Sequence, residues 1–502
     1  MRSTAVTLLV AACSVLAACD GGDGSTTTSA DGGSGGSGAG GSGASGGSGG
    51  SGGAVGGAGG TGGSTSTGGA ADILEQIQAI PGVLSVTEEP SSYPGYRYFF
   101  IDFDQPVDHA DPAGQHFTQR LALHHTDAAA PFVLAATGYY LFGEYLEEPT
   151  ELLGANQLFV EQRYFYPSRP EPADWTLLDI QQAAADHHRI VEALKPIYAG
   201  KWISTGVSKG GMTSVYHRRF HPDDVDGTVA YVAPHSAGLD DARYVTFLDS
   251  VGTPECRTKL EDFEREVLLR RDAMLMRMED QAAQNGVAFD LLGIDAAFES
   301  TVMSFSFAFW QYQDASLCDS VPDAAASDDQ VFSFFDLVGL PIFSADPYVL
   351  GFEPYYWQAY SELGTPGIDT THIDDLLTVD FSAVDDLPSV DIEPSFDAEA
   401  MADVAAWLSA EGSRIVFIYG ENDPWTAAQF DLGGAQGSFK LIQAGGNHGS
   451  SIAGLAPEDR QTALDALEAW TGVKPASPPP PPAVSLRPID PPARLILRRR
   501  FR

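Results

Sequence analysis

Apolar positions fall into two rhythms along the middle of the chain. "YRYFFIDFDQPVDH" and "HFTQRLALHH" read as two strands joined by a turn, and "PFVLAATGYY" as a buried strand ending at Gly138. "NQLFVEQRYF", "KWIST", "GTVAYVAPHS", "RIVFIYG" and "SFKLIQAGG" are further short, nearly continuous apolar runs, the pattern of strands covered on both faces. Between them the period changes. Over Thr176–Tyr198, Leu177, Ile180, Ala184, Val191 and Leu194 recur every three or four residues, which predicts a helix. A helix is expected to begin near Gly210, and "PEDRQTALDALEAW" reads as a closing helix with acids in its first turn, where the helix dipole favours them. Strands alternating with helices predict an α/β fold: a mostly parallel sheet with helices on both faces.

One long block breaks the rhythm. Between "VAPHS" and "RIVFIYG" lie a charged helical stretch, Glu261–Gln284, an aromatic stretch, "FESTVMSFSFAFWQYQD", and an acidic, loop-like stretch from Ile368 to Asp397. Residues 237–410 are therefore expected to form a mainly helical lid inserted above the strand ends, splitting the core into residues 72–236 and 411–474.

The two ends of the chain are of another kind. Residues 1–18 carry Arg2, a short apolar run and small residues, which is the pattern of a signal peptide. Its ending, Leu16-Ala-Ala-Cys19, resembles the bacterial lipobox, which implies cleavage before Cys19 and lipid on its thiol. Residues 19–71 are almost wholly Gly, Ser, Thr and Ala and read as a flexible tether. The expected location is thus exported and lipid-anchored to a bacterial membrane. Residues 475–502, rich in Pro and Arg, read as a disordered tail. The net charge is −40, and the basic tail means that the middle of the chain carries more than all of it. So acidic a surface repels phosphate and argues against a nucleic-acid partner. With Cys13 in the signal peptide and Cys19 lipidated, Cys256 and Cys318 remain as an even pair in an exported protein, either bridged or as two buried thiols. No Cys/His spacing looks like a zinc site. The adjacent pairs His124-His125 and His187-His188 point apart on regular elements, so no metal or other cofactor is expected.

The candidate chemistry lies in "KWISTGVSKGGMT". Gly206 and Gly211 have the spacing of a phosphate loop, but Met212 stands where its lysine must be. Gly206-Val207-Ser208-Lys209-Gly210 instead fits G-x-S-x-G between a strand and a helix, a sharp turn that exposes a nucleophilic serine. A serine needs a base and an orienting acid, in the chain order Ser, Asp, His. Asp423 follows the strand "RIVFIYG" and His448 follows "SFKLIQAGG". Glu421 is a rival acid, and His235 is set aside because it precedes the lid. Ser208, Asp423 and His448 are the expected triad, with the backbone N–H groups of Lys209 and Tyr139 as oxyanion donors.

The chain resembles the secreted bacterial tripeptidyl and prolyl tri/tetrapeptidyl aminopeptidases, a serine peptidase family, and is more distantly similar to the prolylcarboxypeptidases. The resemblance is carried by "QPVDH", "EPTELLGANQL", "EQRYF", "DIQQAAADHHRI", "WISTGVSKGGMT", "FLDSVGTPECR", "FAFWQY", "GENDPW" and "GGNHG", in one order over residues 95–472. It implies an α/β-hydrolase fold, the same triad, and release of short peptides from a free N-terminus, often at proline. The family usually shows a histidine where this chain has Gln162, and often an asparagine near His235; these departures bear on specificity rather than on the triad. A peptide with a free N-terminus is the expected partner. Glu144, Glu148 and Glu161 are candidate carboxylates for its ammonium, and aromatic lid residues such as Phe307, Phe309, Trp310 and Tyr312 are candidates for a proline pocket. An esterase or amidase on small acyl substrates would need the same triad, and a surface-binding protein could keep the shell without the activity.

Overall fold

A computed structural model describes residues 71–478 of the chain. The expected signal peptide, Cys19, the tether and the Pro/Arg-rich tail from Pro479 lie outside the described residues.

Nine strands form one sheet: β1 (Val83–Glu89), β2 (Arg97–Pro106), β3 (His116–His125), β4 (Phe132–Ala136), β5 (Asn156–Val160), β6 (Trp202–Val207), β7 (Gly227–Tyr231), β8 (Ile415–Gly420) and β9 (Phe439–Gln443). Their order across the sheet is β1-β2-β3-β5-β4-β6-β7-β8-β9. The pairs from β1 to β5 are antiparallel and those from β5 to β9 are parallel. This is the α/β-hydrolase fold with one additional edge strand, β1. The chain winds from β4 out to β5 and back across to β6 on the other side of β4, so the carboxyl ends of β4 and β6 flank the point where the winding reverses. Crevices at such points are where open α/β sheets bind ligands.

The central strands are apolar on both faces because both faces are covered. Successive side chains of β8 go opposite ways. Val416 and Ile418 pack with Ala463, Leu467 and Trp470 of the closing helix Pro457–Thr471. Ile415, Phe417 and Tyr419 pack with Met212, Val215 and Tyr216 of the helix Lys209–Phe220. The helix predicted from Thr176 starts at Ile180, where Asp179 caps it by accepting from Gln182 N. Its Ile190, Val191 and Leu194 cover the β2–β5 end of the sheet.

Two expectations shift. "SFKLIQAGG" forms the edge strand β9, with Phe439 and Ile442 exposed and only Leu441 buried, because nothing pairs beyond it. The last helix assigned to the lid, Ala398–Glu411, packs instead on the nucleophile-side helix through Met401, Val404 and Leu408, so the sheet's own covering layer resumes before residue 410.

The rest of the insertion is helical up to Leu363, and the acidic stretch from Ile368 to Asp397 is loop and turn with one 3-10 turn at Phe381–Ala383, as expected. Pro254–Leu269 and Arg271–Asn285 are separate helices broken at Arg270, where one charged helix was expected. The aromatic stretch gives Ile294–Met303 and Phe305–Tyr312. Their core runs continuously into the loops above the sheet, through Tyr139, Phe142, Phe165 and Trp425. Cys256 and Cys318 are bridged, with Cα atoms 5.6 Å apart and a sequence separation of 62. The bridge ties the start of Pro254–Leu269 to the segment just after Phe305–Tyr312. Among the described residues no helix is long and apolar enough to cross a membrane.

Closing a loop of this size removes denatured-state entropy worth about 4 kcal/mol. The double variant Cys256→Ser/Cys318→Ser is expected to lose about 2–4 kcal/mol of unfolding free energy in urea titration. An unchanged midpoint and slope would show that the bridge contributes no stability.

Candidate active site

β6 delivers the chain to a turn that most residues cannot make. Ser208 has φ +57° and ψ −121°, a left-handed conformation that costs a non-glycine residue about 1–3 kcal/mol. Its neighbours make it possible. A Cβ on Gly206 would lie 2.3 Å from the backbone of Gly210, and one on Gly210 would lie 2.2 Å from the carbonyl oxygen of Ala136. Ser208 N donates to Tyr231 O at 2.8 Å, which pins the turn to the end of β7. The helix then starts at Lys209, whose N–H, like those of the next residues, has no carbonyl one turn back to receive it.

The candidate acid and base follow the last two strands, β8 and β9. Asp423 follows β8 and is fully buried; it accepts from Trp425 N and, at 2.7 Å, from His448 Nδ1. With Nδ1–H on the carboxylate, Nε2 of the neutral imidazole carries the lone pair. That Nε2 is buried and makes no hydrogen bond within the chain. Serine and imidazole are therefore not hydrogen-bonded in this structure. Burial pushes the Tyr139 phenol well above its ordinary pKa, and the neighbouring Tyr355 adds to the shift. The rival acid, Glu421, is exposed and accepts from Gly445 N at 2.7 Å, away from the imidazole.

The lid holds the base from the other side. His448 N donates to Gln311 O at 2.9 Å and Asn447 Nδ2 to Tyr312 O at 3.0 Å, both at the end of the helix Phe305–Tyr312. The rings of Trp425 and Tyr312 lie 6.2 and 6.4 Å from the imidazole. This support is invisible to a triad motif, which lists side chains and not the carbonyls that position them.

The loop after β4 meets the serine turn backbone to backbone. A Cβ on Gly138, which has φ +70°, would lie 2.5 Å from Gly210 N. Tyr139 N donates to Thr137 Oγ1 at 3.2 Å, a long bond. The Lys209 side chain is buried, and its Nζ donates to Gly138 O at 2.6 Å. Burial lowers its pKa to about 7, with the charge of Glu362 acting the other way.

The three candidate ammonium-binding carboxylates are occupied by the fold itself. Glu144 accepts from Ser91 Oγ and Ser92 N and pairs with His124. Glu148 accepts from Tyr231 Oη, Ile452 N and Ala453 N, which fastens the segment after His448. Glu161 is fully buried between Arg120 at 2.6 Å, Ser168 Oγ and Leu141 N. Burial raises its pKa, and Arg120 with the hydrogen bonds opposes that. Phe307, Phe309, Trp310 and Tyr312 are buried where the lid meets the loops above the sheet, with Phe307 5.3 Å from the Trp425 ring and Tyr312 beside the His448 imidazole.

Among the described residues, His188, His221 and Asp224 bring three possible metal ligands within 4.8 Å of one another, a grouping drawn from one helix and the loop that follows another, which sequence spacing does not reveal. The rings of His188 and His221 are stacked 4.0 Å apart at 10°, so their in-plane lone pairs run side by side instead of converging. Asp224 already accepts from His188 Nδ1 and His217 Nε2. The arrangement is that of a histidine–carboxylate clamp between two helices.

A profile of the family described as "PS-10 peptidase S37" matches residues 66–498. A curated prolyl tri/tetrapeptidyl aminopeptidase from Streptomyces mobaraensis is 41% identical over 423 residues, covering 82% of this chain and 87% of that protein. Solved structures matched include VinJ, at 14% identity and TM-score 0.33, covering 77% of this chain and 99% of the other. They also include the peroxisomal α/β-hydrolase Lpx1 from Saccharomyces cerevisiae, at 11% identity and TM-score 0.34, covering 82% and 97%.

Because Glu144 and Glu161 hold backbone and arginine in place, Glu144→Gln and Glu161→Gln are expected to lower stability by about 1–3 kcal/mol each. The ratio of kcat/KM for a free-amine substrate to that for its N-acetyl form should stay unchanged. A selective loss on the free-amine substrate, at unchanged stability, would restore them as ammonium ligands.

Proposed function

The chain belongs to the peptidase S37 family and is a serine peptidase, and from that premise we propose that it is an aminopeptidase releasing tri- or tetrapeptides from free N-termini, with Ser208, His448 and Asp423 as its triad. The observation that carries this reading is the 2.7 Å bond between His448 Nδ1 and a fully buried Asp423, with Nε2 left without a partner. An imidazole so oriented is a base awaiting a proton.

In the proposed reaction, the Ser208 hydroxyl turns toward His448 as a peptide enters the crevice. Ser208 Oγ then attacks the scissile carbonyl carbon while His448 Nε2 takes its proton. The carbonyl oxygen becomes an oxyanion facing the N–H groups of Lys209 and Tyr139. The intermediate collapses as His448 returns that proton to the leaving nitrogen, which frees the C-terminal remainder of the substrate and leaves the short N-terminal peptide acylated on Ser208. Water, deprotonated by His448, attacks the ester and regenerates the serine. Asp423 keeps its proton-free form throughout and stabilises the imidazolium. The same reading has the enzyme exported and held at a bacterial membrane by lipid on Cys19, supported by the Leu16–Cys19 sequence and the glycine-rich tether.

The first test compares a tripeptide amide bearing a free amine with its N-acetylated form. Acetylation is expected to lower kcat/KM by about 100-fold, the scale of losing one buried charged contact; indifference to acetylation would indicate an esterase or amidase instead. A fluorophosphonate probe should label the wild-type protein at Ser208, and Ser208→Ala should take up none. An unlabelled but folded wild-type protein would rule out the serine mechanism.

A further inference from the structure

The two expected oxyanion donors are N–H groups from different segments, and a single side chain links them. Lys209 supplies one donor from its own backbone at the start of the helix. The other, Tyr139 N–H, belongs to the peptide group whose carbonyl is Gly138 C=O, and the ammonium of Lys209 donates to that carbonyl at 2.6 Å. We propose that Lys209 is a positioning residue for the oxyanion hole: its ammonium fixes the plane of the Gly138–Tyr139 peptide and polarises it, so that the Tyr139 N–H becomes a stronger donor to the tetrahedral intermediate.

Three features carry this. The first is cost. A lysine only 2% exposed gives up hydration worth several kcal/mol, where a methionine would fill similar space without that loss. Its return within the protein is the bond to Gly138 O, the faces of Tyr139 and Phe165, each centred 5.5 Å from Nζ, and the more distant charge of Glu362. Two of these four partners are the residues of the peptide in question.

The second is direction. A cation on an amide oxygen draws electron density from the nitrogen and makes its N–H more acidic, the same mutual polarisation that strengthens chained hydrogen bonds. An N–H improved in this way gains most against full negative charge, which exists in the intermediate and not in the bound substrate. The gain is therefore selective for the transition state.

The third is readiness. Tyr139 N–H rests on Thr137 Oγ1 at 3.2 Å, a weak bond that an anionic oxygen can replace. The peptide must hold its plane while that exchange occurs. Gly138, at φ +70° and packed against the Gly210 backbone, has no side chain to hold it there, so the lysine supplies the restraint.

The proposal rests on the functional reading above, and its test separates the two. Lys209→Met is assayed on a free-amine tripeptide amide, with inhibition by a peptide aldehyde, whose hemiacetal on Ser208 carries an oxyanion, and by the released product peptide, which carries none. Relative to wild type, kcat is expected to fall about 10- to 100-fold, KM to stay within about twofold, and aldehyde affinity to fall by the same factor as kcat/KM with product affinity unchanged. Retained kcat, or equal losses for aldehyde and product peptide, would overturn it. Wild-type protein that cleaves no peptide would instead remove the functional reading, and the proposal with it. Should the variant fail to fold, a crystal structure of the wild-type aldehyde adduct decides: Nζ on Gly138 O with Tyr139 N on the hemiacetal oxygen supports the role, and either bond missing overturns it.

Discussion

The contact on which the rest of this site depends is between two stretches of bare backbone. The loop leaving β4 and the turn leaving β6 approach so closely that a single added carbon at Gly138, Gly206 or Gly210 would meet main-chain atoms at 2.2–2.5 Å. Backbone cannot yield as a side chain can, so the contact sets the height of Ser208 above the sheet. It also sets the start of the Lys209–Phe220 helix and the distance from that start to the Gly138–Tyr139 peptide. The sheet's reversal between β5, β4 and β6 makes these two loops neighbours. The glycines turn neighbourhood into a shared surface.

Around that contact, most of the charged groups that look available for chemistry are committed to architecture. Arg163 is buried in a bidentate pair with Asp186, and further bonds take it to Val107 O and Leu177 O. Burial alone would raise the Asp186 pKa, but Arg163 and His109 bring it below the ordinary carboxylate range. This pair joins three of the sequence blocks that carry the family resemblance, "QPVDH", "EQRYF" and "DIQQAAADHHRI", through a buried ion pair. Removing one member of such a pair leaves the other charged and unpartnered, which costs far more than the intact pair contributes. Similarity in these blocks therefore reports a common scaffold.

How much of this could be read from the chain alone follows from what each signal encodes. The strands β4 to β8 were legible because a strand covered on both faces is largely apolar on both. β1 was not, since Leu84 and most of its neighbours are exposed and its place is fixed by backbone pairing with β2. Arg270 ends one lid helix and precedes another without Gly or Pro to mark the break. The proposed triad residues stood out because each follows an apolar run read as a strand, and the structure puts Asp423 rather than Glu421 on the imidazole. The glutamates did not separate into free and engaged, because a carboxylate's partners come from remote segments: Glu148 is tied to residues 452 and 453. The Lys209 side chain was likewise hidden, since a turn motif registers its amide and says nothing of where the ammonium goes.

The hold that Gln311 and Tyr312 exert on the His448 loop makes the lid more than a cover over the crevice. Ser208 and Asp423 follow strands of the sheet, whereas the loop of His448, the proposed proton acceptor, hangs partly from the inserted helices. Evolution of new substrate preferences by remodelling those helices is thereby constrained at one end: lineages can vary the roof freely only so long as the last turn before Gln313 keeps its register with the loop beneath it.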